Sequence, residues 1–368
     1  MRTVIATVAT AALLAPVGAL ARQHDPAVHV HSVVRTDQQT QVDRRTETRS
    51  LARVERARVV QNRRDYREEQ SETISRSVKA AEIDLSNLAG DITITRGGSS
   101  VQVEAVKIAR GRTVEEAREM LALVTVQIAE RGPRAEVRTV YPRHEERGRE
   151  RRNINVTVRY NVTAPEGTRV SARSLSGSIS VTDIKGDINA TTLSGDVRIV
   201  NGARVMSAKS TSGDVEIVNL QSPVGLDAGT VSGSLTVRNS TAPRLRLNSV
   251  SGDIVISAST SGRVDARTVS GNVEFTAPLE QNGRYELNSH SGDIRIIPTN
   301  NTGFELDANS FSGNIRSEIT LKDTRQGGGN FNRRGPGGRS RSLQGVFGDG
   351  SAILDVSTFS GTVIVGRK

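Results

Sequence analysis

A short motif carries most of the side chains in this sequence that could do chemistry. It reads Ser or Thr, an apolar residue, Ser, Gly, a small polar residue, then Ile, Val or Leu. Its Ser-Gly pairs fall at 176–177, 194–195, 212–213, 232–233, 251–252, 270–271, 291–292, 312–313 and 360–361. The residues after the Gly are Ser178, Asp196, Asp214, Ser234, Asp253, Asn272, Asp293, Asn314 and Thr362. A row of carboxylates at fixed spacing is what a calcium-binding β-roll would use, but such rolls need two Gly-rich turns per ~18-residue coil, and this chain has one. The row also mixes Asp with Asn, Ser and Thr, which suits turn residues bonding their own backbone. No metal site is expected.

The Ser columns could be nucleophiles only with a base beside them, and His290 alone is close in sequence. Hydroxyls repeated one strand spacing apart can instead bridge backbone groups of successive coils, so a structural role is expected and no catalytic residue is assigned. His24, His29 and His31 with Asp25 could capture a metal weakly, but they stand in a polar tail where a solvated role is expected. The absence of Cys excludes disulfides, thiolate zinc sites, iron–sulfur clusters and Cys nucleophiles. A polysaccharide lyase or hydrolase would need paired carboxylates, or carboxylates beside Arg or Lys, in a groove with aromatic platforms. With no Trp and only Tyr66, Tyr141, Tyr160 and Tyr285, sugar stacking is not favoured. No cofactor is implied, and the chain is not expected to be an enzyme.

The elements that must hold this motif follow from its period. Successive Gly spacings are 18, 18, 20, 19, 19, 21, 21 and 48, and a degenerate copy runs from Asn87 to Ile94. A period near 20 residues means a solenoid, in which each unit buries its apolar face only against its neighbours. Within a unit the alternation is of period two: Leu245 and Leu247, then Ile254 and Ile256, with Val264, Ala266, Val273 and Phe275 in the next copy. The expected fold is all-β, a parallel β-helix of ~19-residue coils with two or three short strands each. The expected turn ladder is Gly90, Gly177, Gly195, Gly213, Gly233, Gly252, Gly271, Gly292, Gly313 and Gly361, bends at positive φ where a Cβ costs ~1–2 kcal/mol. A substitution there should cost far more than one at Gly335.

Four regions are expected. Residues 1–21 read as a secretory signal peptide, with Arg2, an apolar run from Thr3 to Leu20 and cleavage after Ala21. Thr7, Thr10, Pro16 and Gly18 make that run a poor membrane anchor, no Cys follows for lipid attachment, and no later segment is apolar enough to span a bilayer. Residues 22–71 are polar and without period, an expected disordered linker. Residues 72–168 form a small α+β section covering the N-terminal end of the helix. It contains strands at Val101–Ile108, Leu121–Ala129, Ala135–Tyr141 and Ile154–Val162, a capping box at Thr113–Glu116 opening a helix to about Met120, and a solvated loop at 143–152. Residues 169–368 form the β-helix, interrupted by a flexible Gly/Arg-rich insertion at about 323–350, after which the chain returns for a last coil at Ile353–Val365.

The net charge of +10 divides as +4 over 1–70, +3 over 71–159, −2 over 160–321 and +5 over 322–368. The excess sits in irregular segments, so no basic face for nucleic acid is evident, and the Arg/Gly tract reads as a basic loop suited to anionic lipid or polysaccharide.

The tandem units, the segment Leu88–Ile94, the lead-in Asn161–Gly167 and the ending Phe359–Val365 resemble the bacterial exported "putative adhesin" family, a β-strand-repeat domain of unknown function. The resemblance covers about 72–368 and implies an extracytoplasmic β-helix with no catalytic residues. The function expected is that of a non-catalytic envelope or surface protein, in the periplasm or outside the cell, with an adhesin-like binding or scaffold role. The alternatives are a sensory or regulatory envelope protein acting through 22–71 and a polysaccharide-active enzyme. The partner classes are envelope polysaccharide, anionic lipid or another envelope protein, with no nucleic acid and no transmembrane segment in the mature chain.

Overall fold

Alternate residues of each repeat point inward, and the chain turns back on itself once at every Gly of the motif. The computed structural model describes residues 68–142, 154–322 and 341–367, with backbone alone at 333–334. The signal segment, the linker up to residue 67, the His24–His31 cluster, the loop at 143–152 and Gly335 lie outside the described residues. A representative coil runs as Arg244–Ser251, a bend at Gly252, then Ile254–Ser257. The first strand joins a 14-stranded sheet and the second a 13-stranded sheet. Each coil therefore has two strands, and the helix is flattened into two facing sheets.

Successive coils are in parallel register: Leu247 sits opposite Ala266, and Ile256 opposite Phe275. The core between the sheets is almost entirely Val, Ile, Leu and Ala, with Tyr160, Phe275, Tyr285 and Phe304 the largest buried side chains. Phe275 and Tyr285 meet edge-on at 5.3 Å. A thin core of β-branched and small residues is what two sheets ~10 Å apart can hold.

The N-terminal section extends both sheets. Its elements are β1 (Glu68–Val78), β2 (Glu82–Ala89), β3 (Ile92–Arg96), β4 (Val101–Gly111), α1 (Val114–Leu123), β5 (Thr125–Arg131), β6 (Arg134–Val140) and β7 (Val156–Ala164). The degenerate copy forms the first coil, with β2 paired to Arg169–Ser176 and β3 to Ile179–Thr182. Beyond it the sheets turn antiparallel, β7–β4–β1 in one and β6–β5 in the other. β1 starts inside the segment read as linker. Thr113 caps α1 by accepting from the Glu116 N–H at 3.2 Å, and the helix runs to Leu123, which delays the expected strand at 121 to Thr125. The buried Lys107 explains the extra turn: its Nζ donates to the Leu121 and Val124 carbonyls at 3.1 and 3.2 Å, a cation at the negative end of the helix.

The C-terminal end departs from simple succession. The last coil, Ala352–Ser360 and Val363–Val365, lies between the coil of Arg284–Pro298 and that of Phe304–Ser317. The insertion carries the chain past the Phe304 coil, and its final part is ordered, Arg341–Phe347 pairing antiparallel with Phe304–Ser310. Residues 341–347, inside the stretch expected to be flexible to 350, are instead a strand that covers the edge of that sheet.

Five successive coils also have a second turn, built on a left-handed residue: Asp183, Asn201, Asn219, Asn239 and Ala258, at φ between 47° and 61°. The amides form a ladder, Asn201 donating to Asp183 at 2.7 Å and Asn219 to Asn201 at 3.0 Å. Asn tolerates this backbone and Ala does not. Ala258→Asn is expected to stabilise the chain by ~0.5–1 kcal/mol, read as a higher denaturation midpoint; a lower midpoint would mean that the ladder contributes nothing.

Candidate functional site

In the motif, the first hydroxyl (Ser174 excepted) and the residue after the Gly are engaged in stacking, whereas the Ser before each Gly is exposed. At the bends, the Gly carbonyl of one coil accepts from a Ser or Thr hydroxyl of the next: Thr192 to Gly177 at 2.9 Å, Ser210 to Gly195 at 2.8 Å, Thr268 to Gly252 at 3.1 Å, Ser289 to Gly271 at 2.9 Å. The residues after the Gly bond not their own backbone, as expected from turn chemistry, but the next coil's. The Ser178 N–H donates to Asp91 at 2.9 Å, Asp214 to Asp196 at 2.9 Å, Asn272 to Asp253 at 2.8 Å, and Thr362 to Asp293 at 2.7 Å. One carboxylate oxygen of each Asp is thereby taken by backbone.

Gly is required at the bends for two reasons. Gly90, Gly177, Gly195, Gly213, Gly233, Gly252 and Gly292 have φ between 112° and 155°. Gly271, Gly313 and Gly361 do not, which corrects the expectation of a positive φ throughout. All but Gly90 share the second reason: a Cβ would overlap the carbonyl of the Gly stacked on it, in the order 90, 177, 195, 213, 233, 252, 271, 292, 361, 313. Gly90 meets the Val158 carbonyl in the same way.

What remains is the outward face of the 14-stranded sheet. The apolar residue of each motif points out, not in: Leu88, Leu175, Leu193, Val231, Val250, Val269, Phe359 and Phe311 are all 41–50% exposed. Sequence reasoning missed this stripe, although the parity shows it. In Arg244–Ser251 the buried positions are 245, 247 and 249, so Val250 must face outward next to the bend.

At the C-terminal end the stripe becomes aromatic. His290 stacks on Phe359 with ring centres 4.8 Å apart and planes 11° apart, and Phe359 on Phe311 at 4.7 Å and 9°. The candidate base beside Ser291 is thus a member of a ring stack. The stack borders an open groove of about 830 Å³, lined also by Asn248, Asn288, Asn309 and Arg341. Asn288 and Asn309 each donate one amide hydrogen to a carboxylate on their own strand, Glu286 at 3.3 Å and Asp307 at 2.8 Å, which fixes both amides.

Alongside runs a column of carboxylates, Asp265, Glu286, Asp355 and Asp307, each in register with the next. Arg267 bonds Asp265 at 3.0 Å and Glu286 at 2.6 Å, and holds the Glu286 carboxyl below its ordinary range. Asp355 is pushed up by burial and then by Asp307 and Glu286. Among the described residues no group of three His, Asp or Glu side chains is placed to hold a metal ion, and no helix is long and apolar enough to cross a membrane.

Two facing sheets of stacked coils, with a conformationally demanding Gly at each bend, define a parallel β-solenoid repeat protein. The Toastrack DUF4097 family model matches residues 161–239 and 226–365, and the chain belongs to that family. Among solved structures, it is similar to a "putative adhesin" of Bacteroides fragilis, with 14% identity over 81% of this chain and 97% of that one and a TM-score of 0.36. A "putative lipid binding protein" of Parabacteroides distasonis has 11% identity over 82% and 97%, TM-score 0.42. A "putative cell adhesion protein" of Clostridium sporogenes has 11% identity over 81% and 100%, TM-score 0.21. No curated protein matches the sequence.

Proposed function

We propose that this chain is a non-catalytic, exported surface-binding protein of adhesin type, and that its ligand site is the groove beside Phe311, Phe359 and His290. One observation carries the reading. The first hydroxyl of the motif and one oxygen of each Asp after the Gly are engaged in joining coils, whereas the groove offers unsatisfied amide oxygens, Arg341 and exposed ring edges at one end of the solenoid. Such a groove favours an envelope polysaccharide among the three partner classes, because amides and guanidinium can bond hydroxyls and acidic groups along an extended chain. The rings stack on one another, so they present edges and define a wall rather than the face platform of a sugar-cleaving site. Export is supported by the signal pattern of residues 1–21. The sensory alternative rests on residues 22–71, of which only 68–71, the start of β1, are described.

The test is co-sedimentation of the protein with envelopes isolated from its native host, together with mass spectrometry of its N-terminus. Saturable binding by a chain beginning at Arg22 is expected. A chain that keeps Met1, or that never sediments with envelopes, overturns the proposal.

A further inference from the structure

The apolar stripe extends well beyond the groove, and its period says what covers it. Leu88, Leu175, Leu193, Thr211, Val231, Val250, Val269, His290, Phe359 and Phe311 occupy consecutive rungs. At ~4.8 Å per rung this ridge is about 45 Å long and one residue wide. The six large apolar side chains from Leu88 to Val269 are each nearly half exposed and together uncover on the order of 450 Å², a large patch for a monomer and about half of the ~800 Å² each partner gives a standard interface.

We infer that the ridge pairs with the ridge of a second copy of this chain, the two solenoids lying side by side and parallel. A ridge of side chains spaced one strand apart is matched best by another of the same spacing, and a second copy supplies that spacing over the rungs from Leu88 to Val269, leaving the ring stack to the groove. The flanks set the direction. On the strand side of the ridge stand Arg173, Lys209 and Arg267, and past the bend stand Asp196, Asp214, Asp253 and Asp293. A two-fold axis parallel to the solenoid places the basic flank of one copy against the acidic flank of the other, whereas an antiparallel pair would set like against like. Each basic residue also holds a carboxylate of its own sheet, as Lys209 holds Asp227 at 3.1 Å, so the flanks choose the register more than they add affinity. The same acidic flank disfavours an anionic membrane as the occupant. A parallel pair brings both grooves to one end, so a polymeric ligand would meet two sites at once and gain avidity. The pairing itself does not depend on what the groove binds.

The protein purified from its native host is expected to sediment at micromolar concentration as a dimer, and Leu193→Asp/Val250→Asp as a folded monomer whose melting temperature, unlike that of wild type, does not rise with protein concentration. The chain has no Cys, so single substitutions report contact directly. Leu175→Cys, Val231→Cys and Val269→Cys, each in an otherwise unaltered chain, should all form disulfide-linked dimers on mild oxidation, because residue i meets residue i at every rung. Cross-linking at one of the three positions alone would mean an antiparallel pair and overturn the inference. So would a monomeric wild type, a dimer that survives the double substitution, or monomers that use the stripe to bind phosphatidylglycerol vesicles.

Discussion

Gly252→Val is expected to destabilise the chain by roughly 3–6 kcal/mol, from backbone strain and overpacking together. Gly252 holds φ at 153°, and a Cβ there would overlap the Gly233 carbonyl, which the neighbouring coil cannot move without breaking its own ladder. The loss is comparable with the whole stability of a typical domain, ~5–15 kcal/mol. Gly335 lies outside the described residues, so Gly167 is the informative contrast: no atom lies within 4 Å of its Cβ position, and Gly167→Val should stay within about 0.5 kcal/mol of wild type. Chemical denaturation of the two variants measures the difference. Equal midpoints would mean that the Gly column is not a stacked bend.

Asn87→Ala is expected to cost about 2–4 kcal/mol, because it breaks a buried network rather than a single bond. The Asn87 amide donates to the Gly90 carbonyl at 2.8 Å and the Val158 carbonyl at 2.7 Å, and its oxygen accepts from Thr139 at 3.0 Å. Thr139 in turn meets the Tyr160 hydroxyl at 2.6 Å, and burial pushes that phenol up to about 12. The side chains of Asn87, Thr139 and Tyr160 tie the first coil to β6 and β7. Asn87→Ser restores the hydroxyl that every later coil has at this position, where it bonds the carbonyl stacked on it, so it should recover the bond to Val158 and lose the rest. Denaturation midpoints should then fall in the order wild type, Ser, Ala; a serine variant no better than alanine would refute the assignment of the Val158 bond.

The coils were legible because their signals repeat. Leu245, Leu247, Ile254 and Ile256 define inward faces by parity, and the Gly spacing defines the stacking. The left-handed turn at Asn201, Asn219 and Asn239 repeats with the same period and was overlooked because Gly is the stronger marker of unusual backbone. The order of the last two coils could not be read at all. The coils at 304–317 and 352–365 offer equivalent inward residues, Leu306 and Ala308 against Leu354 and Val356, so either could stack on Leu287. Only tertiary packing selects the order, and the ring stack depends on it, because succession along the chain would have placed Phe311 on His290. The groove was illegible for the same reason: it is assembled across coils, and no short stretch of sequence contains it. The helix end at Leu123 was missed because its cap, Lys107, comes from another strand.

The claim at the centre of this account is that the motif builds a scaffold and that the exposed aromatic end does the binding. The most direct measurement is a binding isotherm of Phe311→Ser/Phe359→Ser on native envelopes, taken beside its melting curve. Both rings are nearly half exposed, so the melting midpoint should stay close to wild type while envelope affinity falls at least tenfold. Unchanged affinity in a folded variant would contradict the account.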